Sequence, residues 1–335
     1  MARIALDAMG GDFAPIAPVG GALLALAELG AEHRIQLIGR EADVAATLAS
    51  ALSGDYAAYT AQRARIDIVD APDVVAMADK PTAVMRRPRS SMAVGLRRHA
   101  DGDADAFVSA GNTGAQMAAS VQILGLHGDL KRPAIGTIFP TAHQTVVVLD
   151  SGANVDCSPE ELVHFARLGL VYAEDILGRT NPTVGLLSIG EEPEKGNAAV
   201  KAANKLLTRS GLHFIGNVEG RDLAAGTCDR GTFDVVVCDG FTGNVILKFY
   251  EGLAPTLIRM IAASINGDPH ELMKGLSHLD YSNYGGAPLL GVKGVSIIAH
   301  GSSSPRAIKN AVNVAVRAAE SRMSEHIGRR LGTSD

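Results

Sequence analysis

Ala106-Phe-Val-Ser-Ala-Gly-Asn-Thr-Gly114, continued by Ala-Gln-Met-Ala-Ala-Ser-Val-Gln-Ile-Leu124, is the stretch that decides the fold. Residues 106–109 form a short apolar run, which predicts a strand covered on both faces. Gly111 and Gly114 punctuate a turn, and residues 114–124 carry a helical period. Strand, glycine-rich turn and helix in succession are the building unit of a parallel sheet, because a parallel neighbour is reached only through a crossover.

The same grammar recurs outward in both directions. Strands are expected near residues 3–6, 35–38, 66–69, 135–139, 146–149, 184–188, 214–217, 234–238 and 295–299, and helices over 18–29, 43–52, 91–98, 159–177, 197–210, 245–265 and 304–327. This alternation predicts an α/β fold with a mostly parallel sheet. Residues 131–148 depart from it: two strands flank the turn-like Pro140-Thr-Ala-His-Gln144, which predicts an antiparallel excursion. Residues 1–335 are therefore read as one α/β unit, with two lobes and a cleft between them. No short-period repeat or low-complexity linker marks a boundary.

The 335 residues are 47% hydrophobic and 20% charged, too apolar for disorder and long enough for about two domains of ~150 residues. Lys and Arg number 31 against 36 Asp and Glu, a net charge of −5, so no bulk positive field recruits nucleic acid. Cys157, Cys228 and Cys238 are odd in number and lack CxxC spacing, which argues for a reducing compartment and against a disulfide framework. Arg3, Asp7 and Asp12 interrupt the first twelve residues, unlike a signal peptide, so a cytoplasmic location is expected. Lys248, Glu251, Pro255 and Arg259 exclude a membrane span from residues 245–265, although that stretch could lie against a membrane surface.

Ligands of open α/β sheets sit at the carboxyl ends of strands. Six such junctions are rich in polar and glycine residues: 7–12, 109–114, 150–154, 190–197, 239–244 and 300–304. In Gly111-Asn-Thr-Gly114 and Gly240-Phe-Thr-Gly243, glycines would turn backbone N–H groups toward an anion at a helix N-terminus. Asn112 and Asn244 add amide donors, whereas the plainer reading makes Thr113 and Thr242 helix caps. Lys195, after Glu191, Glu192 and Glu194, could steady a phosphate or a developing oxyanion, or could simply balance an acidic turn. His300, ending a strand before Gly301-Ser-Ser-Ser304, could move a proton or serve structure alone. Arg86, Arg87, Arg89, Arg97 and Arg98 could dock an acidic partner or remain ordinary solubility charges. Val245, Ile246, Phe249, Leu253, Leu257, Met260, Ile261 and Ile265 fall at helical spacings, the pattern of a dimer seam or core face.

Several chemistries lack their signatures. No GxG, Gly-Lys or GxSxG sequence occurs, and His270-Glu-Leu-Met-Lys274 lacks the second histidine of a zincin. Phosphate handling without nucleotide cofactor, metal or covalent serine is the remaining expectation.

Seven ordered motifs resemble the PlsX family of phosphate acyltransferases of bacterial phospholipid synthesis: Ile4-Ala-Leu-Asp-Ala-Met-Gly-Gly-Asp12, Ser109-Ala-Gly-Asn-Thr-Gly-Ala115, Leu149-Asp-Ser-Gly-Ala-Asn-Val-Asp156, Ile189-Gly-Glu-Glu192 with Lys195-Gly196, Val237-Cys-Asp-Gly-Phe-Thr-Gly-Asn244 with Lys248, Gly285-Gly-Ala-Pro-Leu-Leu-Gly291, and His300-Gly301. Departures are Ser188 where the family more often has Asn, Pro193 within the acidic loop, and a short stretch between Ile265 and Tyr281. The resemblance implies a three-layer α/β/α sandwich similar to phosphotransacetylases and isocitrate or isopropylmalate dehydrogenases, as a homodimer. It implies attack of inorganic phosphate on the thioester of a long-chain acyl group on acyl carrier protein, giving acyl phosphate for phosphatidic acid synthesis. On this resemblance Asn112, Lys195 and His300 are the expected catalytic residues. Gly111, Thr113, Gly114, Asn154, Gly240, Thr242, Gly243, Asn244 and Lys248 would bind phosphate or substrate, and the five arginines would dock the acidic carrier, with no metal or cofactor. Competing readings are a short-chain phosphotransacetylase using acyl-CoA, a metal-dependent hydroxyacid dehydrogenase, and a non-catalytic carrier-binding scaffold.

Overall fold

A computed structural model describes residues 1–264 and 285–332 of the chain. The strands are β1 (Arg3–Asp7), β2 (Arg34–Gly39), β3 (Ile66–Asp70), β4 (Ala106–Ser109), β5 (Ala134–Ile135), β6 (Thr137–Pro140), β7 (Thr145–Leu149), β8 (Val184–Leu187), β9 (Phe214–Val218), β10 (Thr227–Cys228), β11 (Gly231–Thr232), β12 (Val235–Val237), β13 (Ala287–Leu290) and β14 (Ser296–Ile298). The helices are α1 (Ile16–Glu28), α2 (Glu41–Ser53), α3 (Ala83–Arg86), α4 (Ser91–Ala100), α5 (Thr113–Leu124), α6 (Pro159–Asp175), α7 (Ala198–Arg209), α8 (Gly220–Ala225), α9 (Gly240–Ser264), α10 (Pro305–Glu320) and α11 (Met323–Gly332). Two compact units result: Met1–Pro133 with Gly285–Asp335, and Ala134–Tyr284.

In the first unit the sheet runs β3-β2-β1-β4-β14-β13, parallel throughout except that β13 lies antiparallel to β14. Every residue of β4 and all but the first of β1 are buried, so both sheet faces are covered. Helix α4 packs on β1, β2 and β4 beside α5, while α10 packs on β1, β4 and β14 beside α1. Close approach there needs glycine: a β-carbon on Gly95 would meet the Phe107 ring at 2.4 Å, and one on Gly21 would meet Ile308 at 2.5 Å. From β1 the chain proceeds to β2 and β3 on one side, then returns to β4 on the other. That reversal leaves the loops after β1 and β4 diverging at the carboxyl ends of the strands.

In the second unit the order is β6-β7-β12-β8-β9, with β6 antiparallel to β7 and the rest parallel. The antiparallel excursion expected around residues 131–148 is thus the β6–β7 hairpin. Phe139, Val146, Val148, Leu187, Val218, Phe233 and Val236 form one buried cluster, against which Ile246, Leu247 and Tyr250 of α9 pack. On α6, Ser158 and Glu161 close a reciprocal capping box, and Pro159 opens the helix.

Three boundaries are corrected. The strand expected at 135–139 is split into β5 and β6, the helix expected from residue 245 begins at Gly240, and the helix expected over 304–327 breaks at Arg322, where φ is +54°. Ile265, residues 270–274 and the stretch from Ile265 to Tyr281 lie outside the described residues. No helix among the described residues is long and apolar enough to cross a membrane.

Candidate active site

In the first unit, β1 ends on Asp7, which is 2% exposed. Its Oδ2 accepts the Ser109 hydroxyl at 2.7 Å and its Oδ1 accepts Met9 N–H at 3.0 Å, while Ser109 Oγ also accepts Gly111 N–H at 3.0 Å. Burial raises the Asp7 carboxyl above the ordinary carboxylate range, against the pull of these donors and of Ser91. A β-carbon on Gly10 would lie 2.7 Å from Gly111 N, so the two loops touch backbone to backbone. The loop after β14 joins them: Ala299 N donates to Ser109 O and Asp12 N donates to Gly301 O, both at 2.8 Å. His300 therefore stands on the same edge as Gly111, Asn112, Thr113 and Gly114.

Asn112 caps α5. Its Oδ1 accepts Ala115 N–H at 2.9 Å, and its Nδ2 donates to Met77 O at 3.0 Å and Asp79 O at 2.8 Å. The residue expected to be catalytic is thus fully engaged in positioning the helix terminus. Because this cap is neutral, the N–H groups of Thr113 and Gly114, without intrahelical partners by helix geometry, face outward with the helix dipole behind them. His300 Nδ1 accepts Ser302 N–H at 3.3 Å, which places the proton of the neutral ring on Nε2 of an exposed side chain.

The second unit repeats the theme with different chemistry. Asp150, directly after β7, is fully buried, and its carboxylate accepts N–H groups of Ile135 (3.0 Å), Gly152 (3.3 Å), Ala153 (3.1 Å) and Asn154 (2.6 Å), as well as Asn154 Nδ2 (2.9 Å). Burial raises this carboxyl too, with the N–H donors opposing. Gly240 N donates to Asn154 O at 2.8 Å, and a β-carbon on Gly243 would sit 1.9 Å from Asp150 O. Asn154, Gly240, Gly243 and Asn244 are brought together here, Asn244 facing Gly152.

Thr242 is committed elsewhere: its N–H and its hydroxyl both donate to Asp239, at 2.8 and 2.9 Å. An internal carboxylate thereby occupies the N-terminus of α9, where the sequence suggested phosphate. Lys248 lies farther along α9, paired with Glu251 at 2.7 Å. Lys195 is exposed in the loop after β8; the turn's Glu191 pairs instead with Arg230 at 3.1 Å and Arg221 at 3.6 Å.

The arginines fall into two groups along the chain. Arg86, Arg87 and Arg89 precede α4 and Arg97 and Arg98 lie in its last turn, with most of a ten-residue helix, about 15 Å long, between them. Arg87 is bound to Asp79 and Val74 O, and Arg98 to Gln36 and Asp103, whereas Arg86 and Arg89 are exposed.

Among the described residues, two groups of side chains could offer three atoms to a cation: Glu32, His33 and Glu320, and Glu191, Glu219 and Asp222. Internal partners account for both. His33 Nδ1 accepts Ala2 N–H at 3.1 Å, which puts its proton on the Nε2 facing Glu32, and Arg221 and Arg230 hold Glu219 and Glu191. Burial pushes the Cys157 thiol up to about 12 and Cys238 well above its usual value, so neither is a thiolate nucleophile at neutral pH.

The sequence reading passed over Asp7, Ser109, Asp150 and Asp239 as site-building residues. Their signal was a carboxylate or hydroxyl closing an apolar run immediately before a glycine turn.

The fold is that of the phosphotransacetylases. A phosphotransacetylase from Streptococcus pyogenes superposes with a TM-score of 0.65 at 15% identity, over 95% of this chain and 94% of that one. Residues 2–326 match the model of a family described as "Fatty acid synthesis protein", and the chain belongs to that family. It is 47% identical over 330 residues to the phosphate acyltransferase of Desulforamulus reducens, covering 96% of this chain and 94% of the relative. Against the phosphate acyltransferase of Aquifex aeolicus it is 44% identical over 325 residues, with 94% and 92% covered. The chain is accordingly an acyltransferase.

Proposed function

We propose that the protein transfers a long-chain fatty acyl group from acyl carrier protein to inorganic phosphate, giving acyl phosphate for phosphatidic acid synthesis. The observation that carries this reading is the neutral-capped N-terminus of α5, which presents the backbone donors of Thr113 and Gly114 on an edge shared with His300. Phosphate is itself an anionic nucleophile, so no side chain need attack. One phosphate oxygen adds to the thioester carbonyl carbon, the tetrahedral oxyanion collapses, the carbon–sulfur bond breaks, and the carrier leaves as a thiolate that takes up a proton. Lys195 supplies charge for the oxyanion, and His300 in its protonated form passes its Nε2 proton to the departing thiolate and is left as the neutral ring. The structural commitment of Thr242 narrows the proposed phosphate contacts to the Gly111–Gly114 turn.

Acyl carrier protein is acidic, and exposed Arg86 and Arg89 suit its docking. Val245, Phe249, Leu257, Met260 and Ile261 leave one face of α9 apolar and exposed in the single chain. This face fits a homodimer seam, with transient contact at the inner surface of the membrane as a second use in a cytoplasmic protein.

The test is incubation of the purified protein with palmitoyl acyl carrier protein, with and without phosphate, measuring free carrier thiol and hydroxylamine-trapped acyl phosphate. Both products should appear only with phosphate. Release of neither from intact substrate by folded protein would overturn the reading, and turnover confined to short-chain acyl-CoA would replace it with the coenzyme A reaction.

A further inference from the structure

Residues 76–81, Ala-Met-Ala-Asp-Lys-Pro, form a largely exposed turn ahead of α3 that takes no part in the proposed reaction, yet it touches three parts of the first unit's candidate site. Asn112 Nδ2 donates to Met77 O at 3.0 Å and to Asp79 O at 2.8 Å. A β-carbon on Gly114 would lie 2.8 Å from Pro81 Cγ, and one on Gly301, next to His300, would lie 2.8 Å from Met77 Cε. Surface turns commonly bond within themselves. This one is also laid against the cap of α5, the first turn of that helix and the loop after β14.

Asp79 keeps the turn in shape. Its N–H donates to Ala76 O at 3.1 Å and its Oδ2 accepts Ala76 N–H at 2.8 Å, so one residue closes the turn through backbone and side chain together. The same Oδ2 accepts Arg87 Nη1, which also donates to Val74 O at 2.8 Å and ties the turn to the segment before it. The Ala76 N–H and then the Arg87 guanidinium hold the Asp79 carboxyl below the usual carboxylate range, which keeps it a charged acceptor at neutral pH. The two carbonyls the turn presents leave the Asn112 amide one satisfactory orientation, Nδ2 toward the turn and Oδ1 toward Ala115 N–H at 2.9 Å. A reversed amide would set its oxygen against two carbonyls and its own N–H against that of Ala115. Loosening the turn therefore frees the cap, and with it the direction of the Thr113 and Gly114 N–H groups.

Resting on the function proposed above, we infer that Asp79 is a positioning residue for phosphate: by closing the turn at 76–81 it fixes the Asn112 amide, and so the backbone donors that receive the nucleophile. It acts through Asn112 and makes no contact with a reactant. Its loss should consequently weaken the use of phosphate and leave the use of the thioester unchanged.

The test compares Asp79→Ala and Asp79→Asn with the unaltered protein. The measurements are kcat and the separate KM values for phosphate and for palmitoyl acyl carrier protein, by thiol release and hydroxamate trapping. In Asp79→Ala the KM for phosphate should rise about tenfold while that for the thioester stays within about twofold. Asp79→Asn keeps an oxygen for the Ala76 N–H, so its KM for phosphate should stay within about threefold of the parent. Thermal melts should stay near that of the parent, because the turn lies at the surface. Should Asp79→Ala melt early, Arg87→Met replaces it, with the phosphate KM expected to rise about threefold. A phosphate KM that is unchanged, or raised no more than that of the thioester, would overturn the positioning role and leave the function intact, and so would an equal rise in Asp79→Ala and Asp79→Asn. The phosphate KM is read with butyryl-CoA if that is the thioester the unaltered protein turns over. No phosphate-dependent thiol release from the unaltered protein with either thioester would instead overturn the function, and the positioning role with it.

Discussion

Gly243 shows at the smallest scale how little freedom these loops retain. A β-carbon there would overlap Asp150 O at 1.9 Å, and backbone cannot retreat as a flexible side chain can. Gly243→Ala should therefore lose about 1–3 kcal/mol, read as a lower melting temperature in a thermal scan. Asp150 raises the stakes beside it, because five N–H groups converge on one buried carboxylate. Asp150→Asn would turn an amide donor toward those donors and cost about 2–3 kcal/mol in urea-unfolding free energy. Exposed Lys195 belongs to a different class. Lys195→Ala should reduce kcat by about 100-fold with no change in the melting temperature, if the ammonium stabilises the oxyanion; near-normal turnover would remove that role.

Among the elements, α9 best shows what could be read in advance. Strands such as 106–109 and 146–149 were legible because buried parallel strands are apolar at successive positions, and the segments between them carried a helical period. The start of α9 was not legible, since Gly240-Phe-Thr-Gly243 looks like a turn on helix propensity alone. Tertiary contact overrides propensity here: Gly240 and Gly243 are the residues that let the helix press on Asn154 and Asp150. Of the candidate site, the Gly111–Gly114 turn and His300 could be picked out as strand-end features. The consumption of Thr242 by Asp239 could not, because a Thr two residues after a glycine looks the same whether its hydroxyl faces a ligand or a neighbour. The arginine run is spread out by the fold, as closeness in sequence becomes axial distance along α4. If Asp239 is the α9 cap, Asp239→Ala should cost about 1 kcal/mol of stability, measurable as a shifted urea midpoint.

For the molecule as a whole, His99 couples acid sensitivity to the first unit. Its Nδ1 meets Ala104 O at 3.0 Å and its Nε2 accepts Val295 N–H at 2.8 Å, so both nitrogens are satisfied only in the neutral ring. Burial lowers its pKa below the ordinary 6.5. With the folded value depressed, the stabilisation is present above the unfolded pKa and is lost as pH falls toward the folded one. The urea midpoint should drop as the solution is acidified from neutrality, and His99→Gln should flatten that part of the profile. The division of the chain carries a consequence for the order of synthesis. The second unit is drawn from a continuous stretch, whereas the first needs β14 beside β4 and α10 against α1, pieces separated by that whole stretch. On the ribosome, the later-encoded second unit can complete its sheet while the earlier-encoded strands still wait for their last partners. The edge of β4 thus waits for β14, which is encoded after the whole second unit, before it is covered.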